Sequence, residues 1–303
     1  MLEHRARALG RGLAFVDRLA RAMEIPLPVA LAVLGAALLH AGWNAFLKSG
    51  ADKQLDAIGL AAGSGAVALC VAPFIGVPAS ASWPWLAASA VVHIAYFRLL
   101  AGAYRWGDLT FSYPIMRGGG PLIVTVAGVA AFGEVLPWGE TAGVVLISAG
   151  ILAFATHRSS DPVALRKSLA FALGNACVIA AYTLIDAKGA RVSGAPVAYA
   201  MWFFVANGIV MFVIGCLQRG ADAPRHILRR WRLTFVGGAC AVLAYAIALW
   251  AMTLAPVALV AVLRETSVVF AAALGALFLR EPFTARRVAA TLVVLAGLVA
   301  LRV

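Results

Sequence analysis

Two arginines stand inside long apolar stretches of this sequence, Arg117 in the segment SYPIMRGGGP and Arg264 in the segment VLRE. An arginine in the middle of a membrane span costs roughly 3 kcal/mol on insertion scales, so it is retained where it faces protein or a water-filled cavity. In such a cavity its planar guanidinium can bind a carboxylate or a phosphate through two parallel hydrogen bonds. We therefore predict that both arginines line a substrate site. The alternative is that each is a structural tie to Glu265, to Asp186 or to backbone carbonyls.

Two carboxylates inside apolar stretches are candidates for proton coupling. Glu265 directly follows Arg264, and Asp186 lies near the end of another apolar stretch. Acidic residues within membrane spans are rare, and they often mark proton pathways. Glu265 and Asp186 are therefore predicted proton-coupling residues. The adjacent arginine leaves a second interpretation open for Glu265, because it could hold this carboxylate in a permanent ion pair.

Polar and aromatic residues in other apolar stretches could complete a pocket. His40 and Asn44 are four residues apart, so they share one face of a helix, and Trp43 lies beside that face. Tyr96 and Tyr245 occur in matching Ala-Tyr pairs of the two halves of the chain. Packing between helices is the alternative role for each. The predicted cavity-lining residues besides the arginines are Trp43, Asn44, His40, Tyr96, Tyr245 and Trp202.

The backbone around Arg117 carries signals for an interrupted helix. Pro114 and Pro121 bracket three consecutive glycines, and both residue types weaken a helix. A break in the middle of the membrane would free N–H and C=O groups that only a polar cavity can satisfy. We therefore predict a broken span here, with a proline kink used for packing as the alternative.

The composition predicts that these residues sit in a membrane protein. The chain is 63% hydrophobic and 13% charged, and its net charge is +12. The mean hydropathy of +0.93 is far above that of soluble domains. The basic residues lie mostly between apolar stretches, which is typical of membrane orientation signals and not of nucleic-acid binding. About 20 helical residues cross the hydrocarbon core. On that measure we predict ten spans, near 27–47, 57–77, 84–104, 109–131, 138–156, 168–187, 196–217, 232–252, 256–279 and 284–302.

Identical residues recur between the two halves at one spacing. A shift of 147 residues carries Arg117, Gly128, Glu134 and Gly150 onto Arg264, Gly275, Glu281 and Gly297. Because each half holds five spans, an odd number, the second copy must enter the membrane from the opposite face. The sequence thus predicts an all-α polytopic membrane protein of ten transmembrane helices in two inverted five-helix repeats. The predicted units are an amphipathic segment at 1–26, repeat one at 27–156 and repeat two at 168–303.

The first residues and the loops bear on topology. Arginines alternate with apolar residues at helical spacing before Met23, which is itself an alternative start of translation. The loops after odd-numbered spans carry nearly all of the loop lysines and arginines. By the positive-inside rule, these loops are cytoplasmic and both termini are external.

Several of these motifs together resemble the drug/metabolite transporter superfamily, specifically the EamA-type carriers with two EamA repeats. The resemblance rests on HAGWN at 40–44, YPIMRG at 113–118 with Pro121, Gly133-Glu134, and LRETS at 263–267 with Glu281. It covers the chain from Met23 to its end.

The resemblance implies a ten-span inverted repeat around a central cavity that works by alternating access. It also implies that Trp43, Asn44, Arg117 and Arg264 face this cavity. Many members are thought to export amino acids or other metabolites, and relatives carry nucleotide sugars or sugar phosphates. Their termini are usually cytoplasmic, which disagrees with the loop charges and leaves the direction of transport open.

These observations together favour a secondary transporter, with export as the expected direction, for small polar or anionic metabolites. It is expected in the bacterial inner (plasma) membrane, as a monomer or homodimer among membrane lipids. No motif for a cofactor, a metal or an enzymatic reaction is present in the sequence. The alternatives are a multidrug exporter of lipophilic cations and, with less support from the residues, a lipid scramblase or a membrane-embedded enzyme.

Overall fold

The described part of the chain folds entirely into helices. The computed structural model describes residues 25–48, 52–107, 109–155, 161–279 and 284–301, and no strand occurs among them. Helices are expected because lipid offers no hydrogen-bond partners, so each apolar segment must satisfy its own backbone. The helices are α1 (Leu27–Lys48), α2 (Lys53–Ile75), α3 (Trp83–Trp106), α4 (Leu109–Phe132), α5 (Trp138–Ala153), α6 (Pro162–Val192), α7 (Pro196–Arg219), α8 (Asp222–Arg229), α9 (Gly238–Ala251), α10 (Val257–Glu265), α11 (Ser267–Leu279) and α12 (Ala285–Ala300). A 3₁₀ turn at Ser80–Ser82 precedes α3, and a π-helical segment at Arg232–Gly237 leads into α9.

Eight helical segments of the described residues are long and apolar enough to cross a membrane, which confirms a polytopic membrane protein. Large apolar side chains cover their outer surfaces, including Phe74, Leu217 and Val126, which are more than three-quarters exposed. Such surfaces suit contact with lipid. The predicted fifth and tenth spans correspond to α5 and α12, which have 16 residues each and are shorter than a typical crossing. The eight segments are Leu27–Asn44, Gln54–Ile75, Ser80–Trp106, Phe111–Phe132, Pro162–Val192, Pro196–Arg219, Arg232–Ala251 and Val257–Leu274.

The prediction of a broken span around Arg117 is wrong, because α4 is one continuous helix. Its glycines instead allow close packing. A Cβ atom on Gly118 would lie 2.9 Å from Leu152 Cγ on α5, and one on Gly120 would lie 3.1 Å from Ile179 Cγ2 on α6. These distances are shorter than ordinary contacts, so the glycines bring α5 and α6 against α4. Packing on these glycines accompanies a continuous helix despite its prolines.

The arginine-bearing span of the second half is interrupted instead. The predicted span at 256–279 forms two helices, α10 and α11, separated by a turn at Thr266. The backbone N–H of Thr266 donates to the carbonyl of Leu263 (3.1 Å), and its hydroxyl donates to the same carbonyl (2.6 Å). A threonine hydroxyl that competes for a backbone carbonyl in this way bends a helix. The interruption comes directly after Arg264 and Glu265.

Helices of the two halves pack in matching pairs. Pairs that pack between the halves include α2 with α7, α5 with α12, α4 with α10, α1 with α9 and α3 with α6. In the α5–α12 pair, a Cβ atom on Gly150 would lie 3.0 Å from the carbonyl oxygen of Ala290, and one on Gly297 would lie 3.0 Å from that of Gly143. The 147-residue shift carries Gly150 onto Gly297 and Gly143 onto Ala290. The two contacts thus join residue pairs that are related by this shift.

Glu134, one of the repeated residues, serves as a helix cap. One carboxylate oxygen accepts from the backbone N–H of Val257 at the start of α10 (2.8 Å), and the other accepts from Arg191 of α6 (2.6 Å). A carboxylate at a helix N-terminus is favoured by the helix dipole. These contacts give Glu134 a structural role between α4, α6 and α10. Its repeat partner Glu281 and the predicted amphipathic segment up to residue 24 lie outside the described residues.

Candidate functional site

The two arginines meet at a single carboxylate. The Nε of Arg117 from α4 contacts Glu265 Oε2, while Nη2 of Arg264 from α10 lies 3.4 Å from Glu265 Oε1. All three side chains are enclosed, with side-chain exposures of 6% for each arginine and 1% for the glutamate. The sequence suggested that Glu265 would neutralise its neighbour Arg264. The structure brings it closer to Arg117, so this carboxylate is shared.

The charges of this cluster do not balance. Two guanidiniums, which stay protonated in proteins, face one carboxylate. His40 of α1 adds no negative charge: its Nε2 lies 2.9 Å from Nη2 of Arg117 and must accept, because a guanidinium can only donate. The enclosed cluster therefore carries a formal excess of one positive charge.

The α1 residues predicted from helical spacing lie beside this cluster. The ring of Trp43 packs edge-on against that of His40, with centroids 4.6 Å apart. The indole Nε1 is buried and has no hydrogen-bond partner among the described residues. Asn44 is half-buried, and its amide donates to the carbonyl of His40 one turn back (2.8 Å), which occupies one of its two donors.

Asp186 forms a second polar centre, built from hydroxyl groups. Tyr199 of α7 donates to Oδ1 (2.9 Å) and Tyr245 of α9 donates to Oδ2 (2.5 Å). Asp186 itself is fully buried. Glycine makes room for this arrangement, since a Cβ on Gly189 would lie 2.5 Å from the Tyr199 ring. No ion pair to Asp186 occurs within the described ranges.

Tyr245 connects the two centres. While its hydroxyl bonds to Asp186, the guanidinium carbon of Arg264 lies 5.9 Å from its ring centroid, in cation–π range. The other predicted tyrosine, Tyr96 on α3, packs against Tyr182 of α6, with centroids 6.0 Å apart. Tyr245 thus contacts both centres, whereas Tyr96 packs against an aromatic neighbour on α6.

Trp202 lies in a different setting from the other predicted residues. Its indole N–H donates to the carbonyl of Gly76 after α2 (3.1 Å), and its ring packs against Trp83 at the start of α3 (5.7 Å). Both contacts belong to the ends of membrane spans. The contacts of the described residues include none between Trp202 and the arginine cluster.

Four residues of these centres were missed or only partly seen from the sequence. Tyr113 sits one turn before Arg117, whose guanidinium carbon lies 5.7 Å from its ring centroid, a spacing of four that the sequence does display. Tyr199 is reached only through the turn between α6 and α7, so no local pattern reveals it. His93 and Tyr182 pack with ring centroids 4.3 Å apart, from α3 and α6.

A comparison with protein-family models finds a match in the second half of the chain. Residues 166–303 match the model of the EamA-like transporter family. This match indicates a membrane transporter of the drug/metabolite transporter superfamily. The matched part of the chain contains Asp186, Tyr245, Arg264 and Glu265, whereas Arg117 lies in the unmatched first half.

A solved structure shares the fold of this chain. A protein known from a crystal structure aligns with a TM-score of 0.70 and 18% sequence identity, covering 91% of this chain and 98% of that chain. At this identity the likeness concerns the fold alone. No curated protein matches the sequence.

Proposed function

We propose that this protein is a secondary transporter that exports small polar or anionic metabolites by alternating access. The excess positive charge of the Arg117–Glu265–Arg264 cluster carries the proposal. An unpaired buried charge is costly. A carboxylate or phosphate on the substrate would remove this cost while it binds, so the site favours anions.

Unused hydrogen-bond donors near these residues support the same substrate class. Trp43 Nε1, Arg264 Nε and the Ser267 hydroxyl are buried and have no partner among the described residues. Buried donors without partners are uncommon in native proteins, and a bound ligand is one reason for them. Oxygen atoms of a metabolite would accept from these groups.

Alternating access is proposed through two inverted repeats of five spans, at 27–156 and 168–303. Matching helix pairs and the copied Gly150–Ala290 and Gly297–Gly143 contacts support a two-fold relation between the halves. Arg117 and Arg264 then occupy equivalent positions. Rocking of one repeat against the other would expose them to each side in turn. The proposed location is the bacterial inner membrane.

Proton coupling is proposed at Asp186 in preference to Glu265. Protonation of Glu265 would leave both guanidiniums without a counter-ion, whereas a protonated Asp186 keeps its two tyrosine hydrogen bonds by reversing one donor. The groups facing Asp186 are Tyr199 from α7, Tyr245 from α9, Tyr182 on α6 itself, His93 and Ser89 from α3, and, beyond Tyr245, Arg264 from α10.

The lipophilic-cation exporter remains the second candidate because of the surroundings of Asp186. This carboxylate lacks a guanidinium partner among the described residues, and aromatic rings surround it, including Tyr245 packed on Phe203 (5.5 Å). Aromatic faces around an acid bind organic cations. The two candidates thus differ in which centre the substrate uses.

A substrate panel on purified protein tests the proposal. Amino acids, dicarboxylates and sugar phosphates are compared with tetraphenylphosphonium for thermal stabilisation, and compounds that stabilise are then assayed for uptake into proteoliposomes. Arg117→Ala and Arg264→Ala remove the excess charge yet leave Glu265 one arginine, so we expect folded protein without anion uptake. Arg117→Lys retains the charge but loses the planar fork and should bind the anion more weakly.

The controls separate the candidate functions. Asp186→Asn should keep anion binding while losing dependence of uptake on a proton gradient. Well-folded Arg117→Ala protein with undiminished uptake of every anion would contradict the proposal. Stabilisation by tetraphenylphosphonium that Asp186→Asn abolishes would favour the cation exporter.

A further inference from the structure

A cavity lies where the short helix α8 leads into the membrane span that begins at Arg232. Helix α8 connects α7 to this span. The cavity has a volume of about 360 Å³. Its lining consists of five consecutive residues, Arg229, Arg230, Trp231, Arg232 and Leu233.

Two of its three arginines are available to a ligand. Nη1 of Arg230 pairs with Asp56 Oδ2 on α2 (3.0 Å), and His226 contacts the other oxygen of this buried carboxylate (2.8 Å). In the part of the chain that the structure describes, Arg229 and Arg232 make no ion pair. The Asp56 contacts thus anchor the cavity wall to α2 and leave two guanidiniums uncompensated.

Apolar side chains continue from the cavity toward the membrane interior. Trp231 is 52% exposed, and four residues further into the span Phe235 is 39% exposed. Next to it, Val236 is half-exposed. The Arg232 guanidinium carbon lies 5.5 Å from the Trp231 ring. Cationic groups at the edge with tryptophan and apolar groups below them match the order of headgroup and acyl chains in a phospholipid.

We propose that this cavity binds the phosphate of an anionic phospholipid, whose acyl chains lie along Trp231, Phe235 and Val236. A free phosphate would use the two guanidiniums but leave the exposed apolar side chains without a partner. A membrane lipid would contact both the guanidiniums and the apolar side chains. The site is independent of the transport proposal, because it needs only a chain embedded in a bilayer.

Thermal unfolding in neutral-detergent micelles tests the site. The micelles contain added phosphatidylglycerol, added phosphatidylcholine or inorganic phosphate alone. We expect phosphatidylglycerol to raise the unfolding temperature of the natural protein, because a ligand that binds the folded state stabilises it. In R229Q/R232Q the apparent affinity should fall roughly 30-fold, since each basic residue near an anionic surface contributes roughly a fivefold step in affinity.

The double variant R105Q/R225Q is the matched control. It removes one basic charge from the last turn of α3 and one from α8 without touching the cavity lining, so it should retain the phosphatidylglycerol response. An unchanged response in R229Q/R232Q, or an equal loss in the control, would overturn the proposal. Equal stabilisation of the natural protein by phosphatidylcholine would also overturn it. Equal stabilisation by inorganic phosphate alone would refute the lipid as occupant.

Discussion

The two arginine-bearing spans differ in a way that their sequences do not suggest. The first span contains two prolines and three successive glycines yet forms the unbroken helix α4. The second has neither proline nor glycine near Arg264 yet divides into α10 and α11 at Thr266. Neighbouring helices pack onto the glycines of α4, whereas the Thr266 hydroxyl takes the carbonyl of Leu263. Tertiary packing and one side-chain hydrogen bond therefore outweigh intrinsic helix preference here.

The spans also differ in their charge. The first contributes Arg117 alone, and the second contributes Arg264 together with Glu265, the only carboxylate in contact with either arginine among the described residues. The interrupted span thus holds the counter-ion for both. We therefore propose that the turn at Thr266 moves when the substrate anion binds to the excess positive charge of this cluster.

The largest effect is expected when the shared carboxylate is neutralised. Glu265→Gln leaves two buried guanidiniums without a counter-ion, and removal of one partner from a buried ion pair typically costs about 3–5 kcal/mol. We expect the free energy of unfolding, measured in detergent, to fall by that order. The double variant E265Q/R264M removes one of the two charges and should recover part of the loss. A Glu265→Gln protein as stable as the natural one would show that the spans do not share this charge.

A glycine pair within α4 tests whether its glycines serve packing. Gly118→Ala places a Cβ atom 2.9 Å from Leu152 Cγ, and overpacking of this kind typically costs about 1–3 kcal/mol. At Gly128 nothing lies within 4 Å of such an atom, so Gly128→Ala should be neutral or stabilising by up to about 1 kcal/mol. The free energy of unfolding of both variants, measured in detergent, tests this difference. Equal changes in stability for the two variants would contradict a packing role for Gly118 and favour a role in backbone flexibility.

The sequence predicted the membrane class, most helix positions and the meeting of Arg117 with Arg264, because charge within apolar stretches and a fixed repeat spacing are visible in one chain. It did not predict which span breaks, since that depends on neighbours of α4 and on the hydroxyl of Thr266. It also missed Tyr199 as a partner of Asp186. Their contact forms across the turn between two helices, and no periodicity along one helix encodes it.

A pair of threonines probes the break itself. Thr266→Val and Thr125→Val each remove a hydroxyl that donates to a carbonyl of the preceding helical turn, Leu263 at 2.6 Å and Pro121 at 2.8 Å. Each loss should cost about 1 kcal/mol of stability. Only Thr266 lies at an interruption, so we expect Thr266→Val alone to slow uptake into proteoliposomes. Equal uptake by the two variants would argue against movement at this turn.

The smallest effect is expected at the N-termini of α2 and α7, the second span of each half. Asp52 caps α2 by accepting from the Leu55 N–H (3.0 Å), and it also pairs with Arg219. The Leu55 hydrogen bond, followed by the Arg219 charge, holds the pKa of Asp52 below its ordinary value of 3.8. The corresponding helix α7 has a neutral start, where the Ser193 hydroxyl accepts from the Ala195 N–H (3.0 Å).

A low pH should therefore weaken the Asp52 cap at the start of α2 and leave the Ser193 hydrogen bond before α7 unchanged. Because the folded pKa of Asp52 is lowered, its contribution is fully present above the unfolded value of 3.8 and disappears as the pH falls through the folded value. Asp52→Asn removes this increment, so the difference in unfolding temperature between it and the natural protein should shrink toward pH 3. Since the carboxylate is partly exposed, the increment should be only a few tenths of a kcal/mol. Ser193→Ala should lower the unfolding temperature by the same amount at every pH. A pH-dependent loss in Ser193→Ala, or a constant one in Asp52→Asn, would contradict this distinction between the halves.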